Sequence, residues 1–274
     1  AIQVVLLSFV TMYCTNALGM NAAVVGTLFM VSKIFDGVTD LVAGYVVDKT
    51  NTKIGRGRPY DLCIIGLWFT TWLQFSVPAG FSMTAKCVWV FICYTLCQSV
   101  FRTFMNAVGT PYMVRAFNNE QKYIKLSSIG GIITTAAVIV FNVIFPMFYA
   151  GIIYDASGWS RLVGMLAIPL CLIGLLRFFF IPEKYQVDEN EQHTTLKDVL
   201  TLLKTNKNIY PIAAVQLIVA ISANMSVTSY YFLYIVKNVA ISGVLSLIGV
   251  FAMVTMVFYP ILLKRISTKQ LIQL

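Results

Sequence analysis

Charged side chains are scarce in this chain: 11% of its 274 residues, beside 58% hydrophobic, where soluble domains carry about 25% charged. With a mean hydropathy of +0.79, it has little polar surface to present to water, and a bilayer is its natural solvent. Histidine occurs once, as His193 in a polar connector, and is read as solvated. The six cysteines lie in or beside apolar blocks without CxxC spacing or a histidine partner, which leaves them as small hydrophobes in packing. No initiator Met and no signal peptide open the sequence. Ala1 already stands in an apolar block, and the last residues follow the polar turn STKQ, so a longer parent chain is expected.

What the chain has in quantity is apolar blocks of about 20 residues, each long enough as a helix to cross a hydrocarbon core of about 30 Å. They fall near 1–18, 22–47, 60–79, 86–113, 124–150, 161–181, 210–236 and 240–263. The predicted organisation is a six-helix unit over 1–182, a linker over 183–209 and a partial second unit over 210–274. In the linker, Leu196, Val199, Leu200 and Leu203 share a face opposite Lys197, Asp198 and Lys204, which predicts a short amphipathic helix on the membrane surface or an ordinary solvated connector.

The loops set the orientation. If the first span runs outward, fourteen Lys and Arg residues, from Lys49, Lys53, Arg56 and Arg58 to Lys264, Arg265 and Lys269, fall on the cytoplasmic side. Only Lys86, Arg161 and Lys237 fall on the other. This bias predicts a multi-pass inner-membrane protein with a cytoplasmic N-terminus, and accounts for the +9 net charge without nucleic acid.

Three cations remain inside spans. Arg177 stands near a span end and is read as a snorkelling anchor. Lys33 shares the run VSKIFDGVTDLVAGYVVDK with Asp36 and Asp40, spaced i, i+3 and i+7 on one helical face. Charge at the bilayer centre costs about 2.5–3.5 kcal/mol per residue even on lenient scales, so that face is expected to point inward. Lys33 neutralises one carboxylate; the other must hold a proton or recruit a cation.

The fourth block adds Arg102, Thr103, Asn106 and Thr110 on one face, with Arg102 as a second counter-ion and the Thr and Asn oxygens as hard ligands suited to Na⁺. Gly109 and Pro111 are expected to loosen that helix. A closed ion-pair network that only holds helices together is the bland alternative. Tyr13, Asn16, Asn142 and Asn224 are further polar residues within spans, read as cavity liners or as interhelical hydrogen-bonding groups.

The run GMNAAVVGTLFMVSKIFDGVTDLVAGYVVDKTNTKIGRGRPYDLCIIG, residues 19–66, resembles the second span and following loop of the glycoside-pentoside-hexuronide:cation symporters, the melibiose-permease group of the major facilitator superfamily. The resemblance implies an all-α polytopic membrane helical bundle with the major facilitator fold, here its first eight of twelve spans. It implies a coupling-cation site for Na⁺ or H⁺ at Asp36 and Asp40 with Thr103, and Thr39 where the melibiose permease has Asn. Asn106 and Thr110 stand where that permease has a sugar-binding Asp and a Trp, which implies a different solute. Lys33 and Arg102 join them as candidate solute contacts.

A weak internal echo, VVDKTNTK at 46–53 and LLKRISTK at 262–269, sets Ala252 and Met256 opposite Asp36 and Asp40. It fits the paired halves of that superfamily.

The expected activity is cation-coupled symport of a sugar, glycoside or related polar small molecule, by a monomer, without cofactor and without enzymatic chemistry. Asp48 paired with Arg56 or Arg58 is the expected conformational switch. An intramembrane prenyltransferase would use D-x-x-x-D to hold Mg²⁺-diphosphate, but it needs a second acidic cluster, and no span carries one. A non-functional transporter fragment is the remaining alternative.

Overall fold

The computed structural model describes residues 2–117, 120–183, 201, 204–207, 210–211, 214–215, 231–238, 240–245, 247 and 251; of residues 4, 110, 111, 114, 120–123, 240, 242 and 243 it describes the backbone alone. The predicted amphipathic helix of the linker, Asn224 and the echo segment at 262–269 lie outside the described residues.

Among the described residues the chain is helical and contains no strand beyond one isolated bridge, Thr52 with Gly55. The first span is broken into α1 (Ile2–Ser8), α2 (Val10–Met12) and a π-helical segment, Tyr13–Ala17. α3 (Ala22–Lys49) is continuous and starts at Asn21, whose side chain accepts from the Ala23 amide at 2.8 Å. At 1.5 Å per residue its 28 residues extend about 42 Å, longer than the hydrocarbon core. A 3₁₀ turn, Arg58–Leu62, leads into α4 (Cys63–Gln74).

The fourth span joins α5 (Met83–Thr95), a π-helical segment Leu96–Arg102, and α6 (Thr103–Ala116). Then come α7 (Glu120–Tyr149) and α8 (Ala156–Phe180), the latter capped by Asp155. A π-helical segment Tyr231–Ile235 and α9 (Ala240–Leu245) follow, and α9 packs on α7.

Among the described residues, four helical stretches are long and apolar enough to cross a membrane: Ala22–Lys49, Met83–Gly109, Ile124–Tyr149 and Ala156–Phe180. Their outer faces fit a lipid solvent: Met165, Ile168, Leu172, Leu176 and Phe179 of α8 are all exposed and apolar. The loosening expected at Gly109 and Pro111 is not where the fourth span departs from α-geometry. α6 runs through both residues, and the departure is the π-helical Leu96–Arg102, which rotates Ser99, Arg102 and Thr103 relative to the turns before them.

Buried aromatics concentrate at the end away from the basic loops. Phe9, Tyr13, Phe75, Phe145, Tyr149 and Trp159 form one ring cluster drawn from the first, third, fifth and sixth spans. A smaller cluster of Val47, Val108, Tyr112 and Ala116 sits at the basic end.

The connection after the first span recurs. Tyr13–Ala17 matches Tyr231–Ile235, and the amides of Leu18 and Val236 bond back to Tyr13 and Tyr231. Positive φ occurs at Gly19, +69°, and again at Lys237, +56°, and the next helices start at Ala22 and Ala240. Every pair is 218 residues apart, and Asn16 Oδ1 accepts from Tyr234 OH at 3.0 Å across that same spacing. A contact between equivalent positions lies close to the axis that relates two repeats. The sequence echo implied a register of 216, which would set Asp36 opposite Ala252; the described connection carries 218 instead.

Candidate functional site

α3 and the fourth span run parallel, joined by a ladder of side chains four residues apart on each. Thr95 Oγ1 donates to Ser32 Oγ at 3.0 Å. Ser99 Oγ donates to Asp36 Oδ1, and Thr103 Oγ1 donates to Asp40 Oδ1 at 3.0 Å. Residues four apart share a helix face, so three successive rungs need the two helices in constant register. Ser32, Ser99 and Thr103 are buried, whereas Asp36 is half-buried and Asp40 exposed.

The two carboxylates differ. Lys33 Nζ meets Asp36 Oδ2 at 2.7 Å, so Asp36 has both a cation and a hydroxyl. Among the described residues, Asp40 has the hydroxyl alone. Thr39, expected to offer an oxygen here, turns its hydroxyl onto its own helix, at 2.9 Å from Phe35 O and 3.1 Å from Asp36 O.

Arg102 departs from its expected role as a counter-ion. Its Nη1 donates to two neutral oxygens, Gln3 Oε1 at 3.4 Å and Gln98 Oε1 at 3.3 Å, and neither carboxylate lies within ion-pair reach. Gln3 in turn donates to Thr71 Oγ1 at 3.3 Å and Cys97 Sγ at 3.1 Å. The sequence reading missed both glutamines; a glutamine within an apolar block was the available signal. Asn106 is exposed, and the side chain of Thr110 is not among those described.

The basic end also departs from expectation. Asp48 is exposed and has no ion pair among the described residues. The acid that meets the loop is Glu183, beyond the end of α8: the backbone amides of Arg56, Gly57 and Arg58 donate to its carboxylate at 3.1, 2.7 and 2.8 Å. Three consecutive amides aimed at one carboxylate form an anion-holding nest. Arg58 Nε donates to Phe178 O at 2.7 Å, with the guanidinium 5.2 Å from the Phe178 ring centroid.

Arg177, read as a snorkelling anchor, is instead ion-paired to Asp61, which is 3% exposed. Its Nε donates to Asp61 Oδ1 at 2.9 Å. Span-end position alone did not distinguish a snorkelling arginine from a paired one, because the partner comes from a loop more than a hundred residues earlier.

The family profile described as MFS/sugar transport protein matches residues 1–274. The chain belongs to this family. The isoprimeverose transporter of Lactiplantibacillus pentosus is 26% identical over 274 residues, 96% of this chain and 56% of that protein. The glucuronide carrier protein homolog of Escherichia coli (strain K12) is 27% identical over 251 residues, 88% of this chain and 53% of that protein. The lactose permease of Lactobacillus helveticus is 24% identical over 225 residues, 76% of this chain and 34% of that protein. The chain thus spans about half the length, or less, of these relatives, which are named as transporters and not as enzymes. None of these names supports the prenyltransferase alternative.

Proposed function

We propose that this MFS chain belongs to a cation-coupled symporter of a sugar or glycoside, with Asp36, Asp40 and Thr103 at the coupling-ion site. The observation that carries this reading is the inequality of the two carboxylates: Asp36 is matched by Lys33, while Asp40 faces accessible space with one hydroxyl for company. A carboxylate in that setting draws a small cation, and the surrounding oxygens of Asp36, Ser99 and Thr103 are hard donors suited to Na⁺ or a proton. The ion is cargo, moved with the solute. Relatives named for isoprimeverose, glucuronide and lactose support a sugar-type solute.

Lys33, Arg102, Asn106 and Thr110 are the proposed solute-side residues. Solute and cation meet where the halves rock, so each raises the affinity of the other by the same factor. In the conformation described, the end away from the basic loops is drawn together: Asn16 contacts Tyr234, and Leu233 packs on the aromatic cluster. Opening toward that end requires those contacts to part. Asp48 with Arg56 or Arg58 stays the proposed switch pair, formed when the basic end closes; in the conformation described, Arg58 and the loop amides hold the end of α8.

The test is solute uptake by the protein from its complete gene, and by Asp36→Asn and Asp40→Asn, across Na⁺ concentration and pH. Uptake that rises with Na⁺ or with acid in the parent and loses that dependence in Asp40→Asn is expected. Cation-independent uptake in all three would defeat the reading.

A further inference from the structure

We propose that the π-helical segment Leu96–Arg102 aims the cation site, and that Arg102, braced by Gln3 and Gln98, is the positioning residue that keeps Thr103 on Asp40. This rests on the symport reading above and adds a residue that acts on the ion through another side chain.

The rungs between the second and fourth spans set a geometric condition. The stripe Ser32, Asp36, Asp40 and the stripe Thr95, Ser99, Thr103 each advance by two steps of four residues. In an α-helix such an advance is two turns and about 80° more. Two parallel helices that face each other wind in the same sense, so their stripes leave the contact on opposite sides and a third rung fails to close. α3 is α-helical throughout and supplies no correction. The fourth span supplies it. Its π-helical turn absorbs one residue, which brings Thr103 to within about 20° of two whole turns from Thr95. Thr103 thereby returns to the side of the helix that Thr95 occupies, and meets Asp40.

The side-chain bonds carry the mark of that wider turn. Thr27, Thr39 and Thr71 set their hydroxyls on carbonyls four residues back, those of Ala23, Phe35 and Leu67. The Thr103 hydroxyl is shared between Asp40 and Gln98 O, five residues back, at 3.3 Å. A π-helical turn is uncommon in isolation, and here side chains hold it. Arg102 Nη1 donates to Gln98 Oε1 at 3.3 Å along the segment, and to Gln3 Oε1 of the first span at 3.4 Å. Gln3 is anchored in turn on Thr71 and Cys97. Gln3, Thr71, Cys97, Gln98 and Thr103 are all buried, so the brace is built from the first, third and fourth spans. Without it the segment is free to relax to α-geometry, which turns Thr103 by about 100° away from Asp40.

The experiment measures ²²Na⁺ binding, or proton binding by calorimetry, to the purified protein from its complete gene. The variants are Arg102→Gln, Arg102→Lys, Gln98→Leu, Thr103→Ala and the double variant of Arg102→Gln with Thr103→Ala. Arg102→Gln should weaken cation binding about tenfold, the loss expected for a misplaced hydroxyl, even though it removes a positive charge near the ion. Gln98→Leu keeps that charge and should weaken binding to a similar degree. Arg102→Lys keeps the charge without the two-acceptor fork and should bind as weakly as Arg102→Gln. In the Thr103→Ala background, Arg102→Gln should cost less than about threefold more, because the two act through one contact.

Tighter cation binding in Arg102→Gln overturns the proposal, since Arg102 would then act only as a repelling charge. So do unchanged affinity in Arg102→Gln, unchanged affinity in Gln98→Leu, full recovery in Arg102→Lys, or losses from Arg102→Gln and Thr103→Ala that multiply in the double variant. Should Arg102→Gln lack a cooperative thermal unfolding transition, Gln98→Leu decides on the same criterion. A parent protein that binds neither Na⁺ nor protons at this site instead overturns the symport reading, and is recognised before any variant is compared.

Discussion

Asp36 and Asp40 lie on the same face one turn apart, yet their substitutions should behave differently, because only Asp36 has a basic partner. Removing a carboxylate charge about 4 Å from a bound cation costs about 4 kcal/mol at an effective dielectric constant near 20, and about 1 kcal/mol in water. Asp40 is exposed, so Asp40→Asn should fall between these, a loss of roughly fivefold to a thousandfold in cation affinity. Asp36→Asn does something further. It removes one negative charge and leaves Lys33, 2.7 Å from the former carboxylate, as an unpaired cation that repels the ion, adding a Coulomb penalty of similar size.

The discriminating variant is therefore the double substitution Lys33→Gln with Asp36→Asn, which removes both charges. It should bind cation more tightly than Asp36→Asn alone, by about tenfold, while Lys33→Gln should do nothing to rescue Asp40→Asn. The assay is direct ²²Na⁺ binding to purified protein, or proton binding by calorimetry, with the Na⁺ dependence of uptake alongside. Thr103→Ala, which removes the hydroxyl that meets Asp40 among the described residues, takes one oxygen from the site and should weaken Na⁺ binding by about 1.5 kcal/mol, roughly tenfold. Cation affinity in Asp40→Asn equal to that of the parent would refute the site, and equal affinities for Asp36→Asn and the double variant would refute the role given to Lys33.

The remaining expectations concern the scaffold. Asp61→Asn strands Arg177 and should lower stability by about 2 kcal/mol, less than the roughly 3–5 kcal/mol of a fully buried pair because Arg177 is partly exposed; adding Arg177→Gln should recover much of it in a thermal unfolding measurement. Gly66→Ala would drive a methyl group into the Phe101 ring between the third and fourth spans, and should cost about 1–3 kcal/mol, relieved by Phe101→Leu. A double cysteine variant, Asn16→Cys with Tyr234→Cys, should be bridged by a bismaleimide whose arm replaces the tyrosine ring, since a direct disulfide is too short for that gap, and the bridge should stop uptake; free transport after complete cross-linking would contradict the opening motion proposed for that end. The Asp155 carboxyl, outside the spans, is held below the usual carboxylate range chiefly by the Ser157 hydroxyl. Its stabilising effect should be full above the ordinary carboxylate pKa and vanish as pH falls through the lowered value, so the difference in melting temperature between the parent and Asp155→Asn should shrink in acid.

Residue order alone determined the helical, membrane-embedded class, because apolar blocks about 20 residues long have one favourable solvent and a helix satisfies its backbone groups within itself. It also singled out Lys33, Asp36 and Asp40, since a charge in an apolar run is conspicuous and helical periodicity puts the three on one face. What it left open were pairings between segments distant in the chain. That Asp36 meets Ser99 and Asp40 meets Thr103 depends on the register of two parallel helices and on a π-helical segment between Leu96 and Arg102, and neither has a local sequence signature.

For the same reason Arg177 passed for a surface anchor, and Glu183 went unnoticed as the acid that meets the basic loop. Ion pairs form between whichever charges the packing of spans brings within about 4 Å, and tertiary contact alone chose Asp61 for Arg177 and a nest of loop amides for Glu183.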